Sequence, residues 1–107
     1  MSVSWANLFG GNCDPRTELI EVIHQARTLV CREGNDFVWS GWADREEALR
    51  EVDGLMHRVS SGVFPIHEIT VLFAPTGALQ ELSLSNGWSD AFIALSSKAD
   101  RVLERIK

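Results

Sequence analysis

A chain of 107 residues with 45% hydrophobic and 23% charged side chains has the size and balance of one globular domain, not of a disordered segment. At this length roughly two-thirds of the unfolded chain's surface is buried on folding, enough for a core without staples. The formal net charge of −5 is unevenly placed, with ten acids against six arginines in residues 1–60, and the lack of any basic stripe argues against nucleic acid or an anionic membrane as partner.

Two cysteines, Cys13 and Cys31, are too few for a disulfide scaffold and form no C-x-x-C pair. The N-terminus lacks the basic and long apolar regions of a signal peptide, and no apolar run approaches the ~20 residues of a membrane span. The expectation is a cytoplasmic protein with both thiols free.

Residues 1–13 read as a loop lead-in containing Gly10-Gly11-Asn12, with Trp5, Leu8 and Phe9 expected to pin it to the body. Asp14 as N-cap and Pro15 at the first helical position then start a helix over 15–33, which Gly34 closes. Leu19, Val22, Ile23, Ala26, Leu29 and Val30 share its buried face, and a second stripe, Ile20, His24, Arg27 and Cys31, flanks the first.

The second helix, 44–60, starts at Asp44-x-x-Glu47, an acidic form of the capping box, and stops at Ser60-Ser61-Gly62. Its apolar stripe is Ala48, Leu49, Val52, Leu55, Met56 and Val59. The last helix, 88–106, carries Trp88, Phe92, Leu95, Ala99, Val102, Leu103 and Ile106 on one face. Its acid near the start and bases near the end suit the helix dipole.

Residues 65–87 admit two readings. Ile69 to Phe73 has strand propensity, and Ala74-Pro75-Thr76-Gly77 fits a type I turn, which together give a hairpin at 66–84 and an α+β fold. Alternatively Pro65 opens one short helix, Pro75 ends it, Thr76 caps a second helix over 78–86, and Asn86-Gly87 closes that. The helical reading makes the whole a mainly α, compact bundle of three long amphipathic helices plus two short ones.

Trp39-x-x-Trp42 ahead of a capped helix, followed by Leu72-Phe73-x-x-x-Gly77-x-Leu79-Gln80-Glu81-Leu82, resembles a pattern in small uncharacterised bacterial proteins. The family pattern often has two glycines where this chain has Ala74-Pro75. The resemblance covers about residues 17–90 and implies a helical protein of a mostly cytosolic group without assigned activity, some of whose members look like immunity proteins against bacterial toxins.

Chemistry-bearing patterns are few. His67-Glu68 opens a zincin motif, but Val71 stands where the second histidine ligand belongs. His24, His57 and His67 have no ligand-like spacing, so neither a metal nor another cofactor is expected. His24 reads as a hydrogen-bonded histidine at the core edge. It and Cys31 lie two turns apart, ~10 Å along a helix, too far for a nucleophile and its base.

Two features remain. Trp39 and Trp42 belong to the core or, beside Asp36, Asp44 and Glu47, form an aromatic–acidic patch for a basic protein partner. Residues 59–97 contain no Lys or Arg, and Leu79, Leu82, Leu84 and Ile93 are candidates for a homodimer interface. The preferred reading is a non-catalytic protein-binding module. The alternatives are a homodimeric domain and a small-ligand binder or enzyme whose pocket is lined by Trp39, Trp42, Trp88 and His24.

Overall fold

A computed structural model describes residues 14–106. They form five α-helices: α1 (Pro15–Val30), α2 (Arg45–Ser60), α3 (Ile66–Leu72), α4 (Ala78–Asn86) and α5 (Ser89–Ile106). The described residues contain no strand, so the hairpin reading of 66–84 is replaced by the two short helices. The lead-in containing Trp5, Leu8, Phe9 and Cys13 lies outside the described residues.

α1 is the organising helix and packs against both α2 and α5, while α4 rests on α5. Leu19, Val22, Ile23, Ala26 and Val30 are buried on its inner face, as the helical spacing requires. They meet Ala48, Val52, Leu55 and Val59 of α2 and Phe92, Leu95, Ala99, Val102 and Leu103 of α5 in one core. Charged pairs tie neighbouring helices at the rim: Arg27 to Asp53 at 2.7 Å, Arg105 to Glu18 at 2.6 Å and Arg58 to Glu68 at 3.8 Å. Asp53 raises the pKa of Arg27, first by its hydrogen bond and then by its charge, but arginine is already cationic at any working pH.

The helix ends follow their capping chemistry. Asp44 Oδ1 accepts from the backbone N–H of Glu47 at 2.9 Å, and Glu47 reaches back to accept from the N–H of Ala43. That is the expected reciprocal box displaced by one residue, since its return bond goes to the residue before the cap. Past α2, Val63 N–H bonds to Arg58 C=O and Gly62 N–H to Val59 C=O, with Gly62 at φ +96°. This Schellman arrangement needs the left-handed conformation that glycine supplies.

α1 stops at Val30, three residues short of the expected end at residue 33. The cause is Asn35, whose Nδ2 donates to the carbonyls of Leu29 at 2.8 Å and Val30 at 3.0 Å and so satisfies the helix end early. The turn at 74–77 does close, with Gly77 N–H bonded to Ala74 C=O at 3.0 Å, but it joins two helices instead of two strands. Thr76 is not the cap of α4; that position falls on Gly77. A Cβ on Gly77 would lie 2.6 Å from the carbonyl oxygen of Val71, so the chain passes there closely enough to demand glycine.

Candidate functional site

The connection between α1 and α2, residues 31–44, lies across α4 and is fastened to it at both ends. Asn86 at the last turn of α4 pairs with the backbone of Asp36 twice: its Oδ1 accepts from Asp36 N–H at 2.8 Å and its Nδ2 donates to Asp36 C=O at 2.9 Å. Near the start of α4, Gly41 approaches Ala78 so closely that an added Cβ would sit 3.3 Å from the Ala78 Cβ. Asn35 provides a third anchor, because its Oδ1 accepts from the indole N–H of Trp88 at 2.9 Å while its amide caps α1. One asparagine side chain thereby holds the end of α1, the loop and the start of α5 together.

Within the loop the turns are built locally. Asp36 Oδ1 accepts from Val38 N–H at 2.9 Å, the short-range bond that Asp favours in turns. Ser40 Oγ donates to Phe37 C=O at 2.9 Å and accepts from Trp42 N–H at 3.1 Å. Phe37 is half-buried and packs against the core. Between these fixed points stand Val38 and Trp39, 72% and 73% exposed, the two most exposed large hydrophobic side chains among the described residues.

The structure separates the two tryptophans that the sequence groups together. Trp42 is buried, with its indole N–H donating to Glu51 at 3.0 Å, so it belongs to the core and leaves the candidate binding set. Trp39 remains in the set. Asp36 and Asp44 are exposed and Glu47 is half-buried; Asp44 and Glu47 lie at the start of α2, while Asp36 stands in the loop where it meets the last turn of α4. Between residues 36 and 51 there are five acids and two arginines, so the tryptophan stands in a locally acidic stretch. Each of these three carboxylates already accepts one local N–H, and a carboxylate retains capacity for further donors.

The interface candidates divide in the same way. Leu79 and Leu82 are fully buried on the inner face of α4 and cannot meet a partner. Leu84 on the opposite face of α4 and Ile93 on α5 are 61% and 58% exposed. Helical spacing explains the split, since Leu84 lies about 170° around the axis from the midpoint of Leu79 and Leu82 at roughly 100° per residue.

The tryptophan-lined pocket is not formed. Trp42 and Trp88 are buried, Trp39 points to solvent, and His24 sits elsewhere, exposed on α1 instead of hydrogen-bonded at the core edge. His24 lines an open groove of about 750 Å³ that runs over α1 with walls from α2 and α5. Its apolar lining is Ile20, Val22, Met56 and Val102; Lys98, Arg101, Glu18 and Glu21 are among its charged neighbours. Among the described residues no three His, Cys, Asp or Glu side chains gather as a metal site, and no helix is long and apolar enough to cross a membrane. His67 and Glu68 are exposed on α3, where Glu68 pairs with Arg58. Cys31 is a half-buried free thiol.

Sequence reasoning named the patch but missed the residues that hold it. Asn35 follows a glycine and Asn86 precedes one, which marks both as turn residues; nothing in that pattern pairs either with a segment 50 positions away. The groove had one signal, the flanking stripe Ile20-His24 on α1. The chain matches no family model, no curated protein and no solved structure.

Proposed function

We propose that this protein is a non-catalytic protein-binding module that presents Trp39 and Val38 to a basic partner. The observation that carries the reading is a 73%-exposed tryptophan on a loop hydrogen-bonded to another helix. A large aromatic left in water loses apolar burial that folding could supply, and a loop that is already fixed loses little entropy when it docks. Such aromatics dominate binding energy when a partner encloses them. Asp36, Asp44 and Glu47 supply the charge that would steer a cationic surface toward the tryptophan.

Neutralisation of a basic toxin in the cytosol is the specific form of this function, supported by the resemblance to small bacterial proteins of which some look like immunity proteins. The test is affinity capture from the native cytosol with wild-type and Trp39→Ala baits. A basic protein held by the wild type should be bound at least ~30-fold more weakly by the variant, the ~2 kcal/mol of a hot spot. Equal binding by the two baits, or a captured partner that is acidic, overturns the reading.

A second reading rests on Leu84 and Ile93, both more than half exposed on the stretch 59–97 that holds no Lys or Arg. These would be the contact in a homodimer, because apolar faces left open tend to associate. Sedimentation at micromolar concentration decides it. A dimer that Ile93→Lys converts to monomer supports this reading, and a wild-type monomer removes it.

A further inference from the structure

Asn86 clamps the 31–44 loop to α4 and is followed by Gly87. An asparagine before glycine is the one most open to losing its side-chain amide, because glycine has no side chain to shield its backbone nitrogen. We propose that Asn86-Gly87 is a deamidation site and that reaction there releases the loop, so that the clamp opens once and does not reform. The consequence for binding rests on the reading of Trp39 as the presented group; the release itself does not.

The chemistry needs only water. The Gly87 amide nitrogen gives its proton to solvent base and attacks Asn86 Cγ. The new N–C bond closes a cyclic imide, the Cγ–Nδ2 bond breaks, and Nδ2 takes a proton from water and leaves as ammonia. Water then opens the imide at either carbonyl, giving aspartate or isoaspartate. Beyond the adjacent residues, no atom would come within 4 Å of a Cβ added to Gly87, so water has access there. The folded geometry restrains the first step. Gly87 N–H donates to Ser83 C=O, and Asn86 Nδ2 donates to Asp36 C=O and Leu82 C=O, both at 2.9 Å. Attack therefore requires the end of α4 to fray, one of the least costly openings a fold undergoes.

The product cannot rebuild the clamp. Aspartate puts an oxygen where Nδ2 stood, so the carbonyls of Asp36 and Leu82 would face a charged acceptor in place of a donor. It also adds a negative charge beside Asp36. Isoaspartate runs the backbone through the former side chain and removes the reaching amide altogether. The bond from Trp88 to Asn35 survives in both products, which confines the loosening to the stretch that carries Val38 and Trp39.

The experiment ages the full chain in mildly alkaline buffer and maps deamidation by peptide mass, with Asn35, which precedes Asp36, as internal control. Asn86 should be converted before Asn35, and urea below the unfolding midpoint should hasten the conversion. Amide exchange across residues 36–42 should then be at least about tenfold faster in the aged chain and in Asn86→Asp than in the wild type, since two donated hydrogen bonds are lost. Amides of residues 19–26 in α1 should exchange at the wild-type rate. An Asn86 that stays intact, or a deamidated chain whose 36–42 amides are as protected as before, overturns the proposal. Loss of protection throughout α1 overturns it too, because Asn86 would then hold the whole fold and not the loop. None of these outcomes depends on a partner, so Trp39→Ala could fail to weaken binding and leave the release standing.

Discussion

The segment 59–97, which holds no Lys or Arg, and the acidic loop 31–44 differ in how they place their large hydrophobic residues. The segment without a single Lys or Arg supplies Ile69, Leu72, Phe73, Leu79, Leu82, Trp88, Phe92 and Leu95 to the core. Its outward positions include Ser61, Thr70, Thr76, Ser85 and Ser97 alongside the three acids Glu68, Glu81 and Asp90. The loop, set in the acidic half, exposes Val38 and Trp39 more fully than α3, α4 or α5 exposes any large hydrophobic residue. The segment thus builds much of the core and also leaves Val63, Phe64, Val71, Leu84 and Ile93 exposed singly or in pairs, whereas the loop concentrates its exposure in the adjacent pair Val38 and Trp39 among acids.

The comparison is broken most directly within α4, where two leucines two residues apart have opposite fates. Leu82→Ala should cost roughly 2–5 kcal/mol, because the removed atoms leave a cavity in a filled core. Leu84→Ala, on the exposed face, should stay within about 0.5 kcal/mol of the wild type. Chemical denaturation of both variants measures the contrast. Equal costs would mean that α4 does not turn its Leu79–Leu82 face to the core.

The next largest effect tests whether the loop is fastened to the segment without Lys or Arg. Asn35→Ala removes the partner of the buried Trp88 indole N–H and exposes the last carbonyls of α1 at once. A buried donor left unpaired costs about 1–3 kcal/mol. The midpoint of unfolding followed by tryptophan fluorescence should fall accordingly. An unchanged midpoint would detach the loop from α5 and remove the basis for calling Trp39 preorganised.

Much of this architecture was legible because it follows from local rules. The caps at Asp14 and Asp44, the stops at Gly62 and Gly87 and the stripes of the long helices each depend on residues within a turn or two of one another. The early end of α1 was not legible, since Asn35 ends it through a side chain whose oxygen is engaged by Trp88, 53 positions away. The turn at Ala74-Pro75-Thr76-Gly77 was readable as a turn, but a tight turn fits strands and helices alike. Burial against α5 decides between them, as Leu79 and Leu82 lie at helical spacing on one face. The two tryptophans were equivalent by type and by neighbours. Only the fold gives Trp42 a buried site with an acceptor in Glu51 and leaves Trp39 without enclosure.

A smaller effect concerns the acids beside the loop. Asp44→Ala should destabilise by about 1 kcal/mol through loss of the α2 cap. Asp44→Asn keeps an oxygen acceptor for the Glu47 N–H and should restore most of that stability while removing the charge. Thermal unfolding of the pair separates the two roles of one carboxylate. If Asp44→Asn matches wild type in stability yet binds a basic partner more weakly, the charge serves recognition and the oxygen serves the fold.

The smallest expected change is the most informative about the loop. Trp39→Ala should alter stability by less than about 0.5 kcal/mol, because a side chain already in water gives up little on truncation. Trp42→Ala, by contrast, empties a buried site and should cost about 3–5 kcal/mol. The pair isolates exposure as the variable, since residue type, sequence neighbourhood and loop are shared. Fluorescence sharpens it: loss of Trp39 should remove the part of the emission most readily quenched by acrylamide, and loss of Trp42 a shielded part. A Trp39→Ala variant that unfolds several degrees early would show that the loop packs this ring against the body, and the proposed docking surface would then have no aromatic to present.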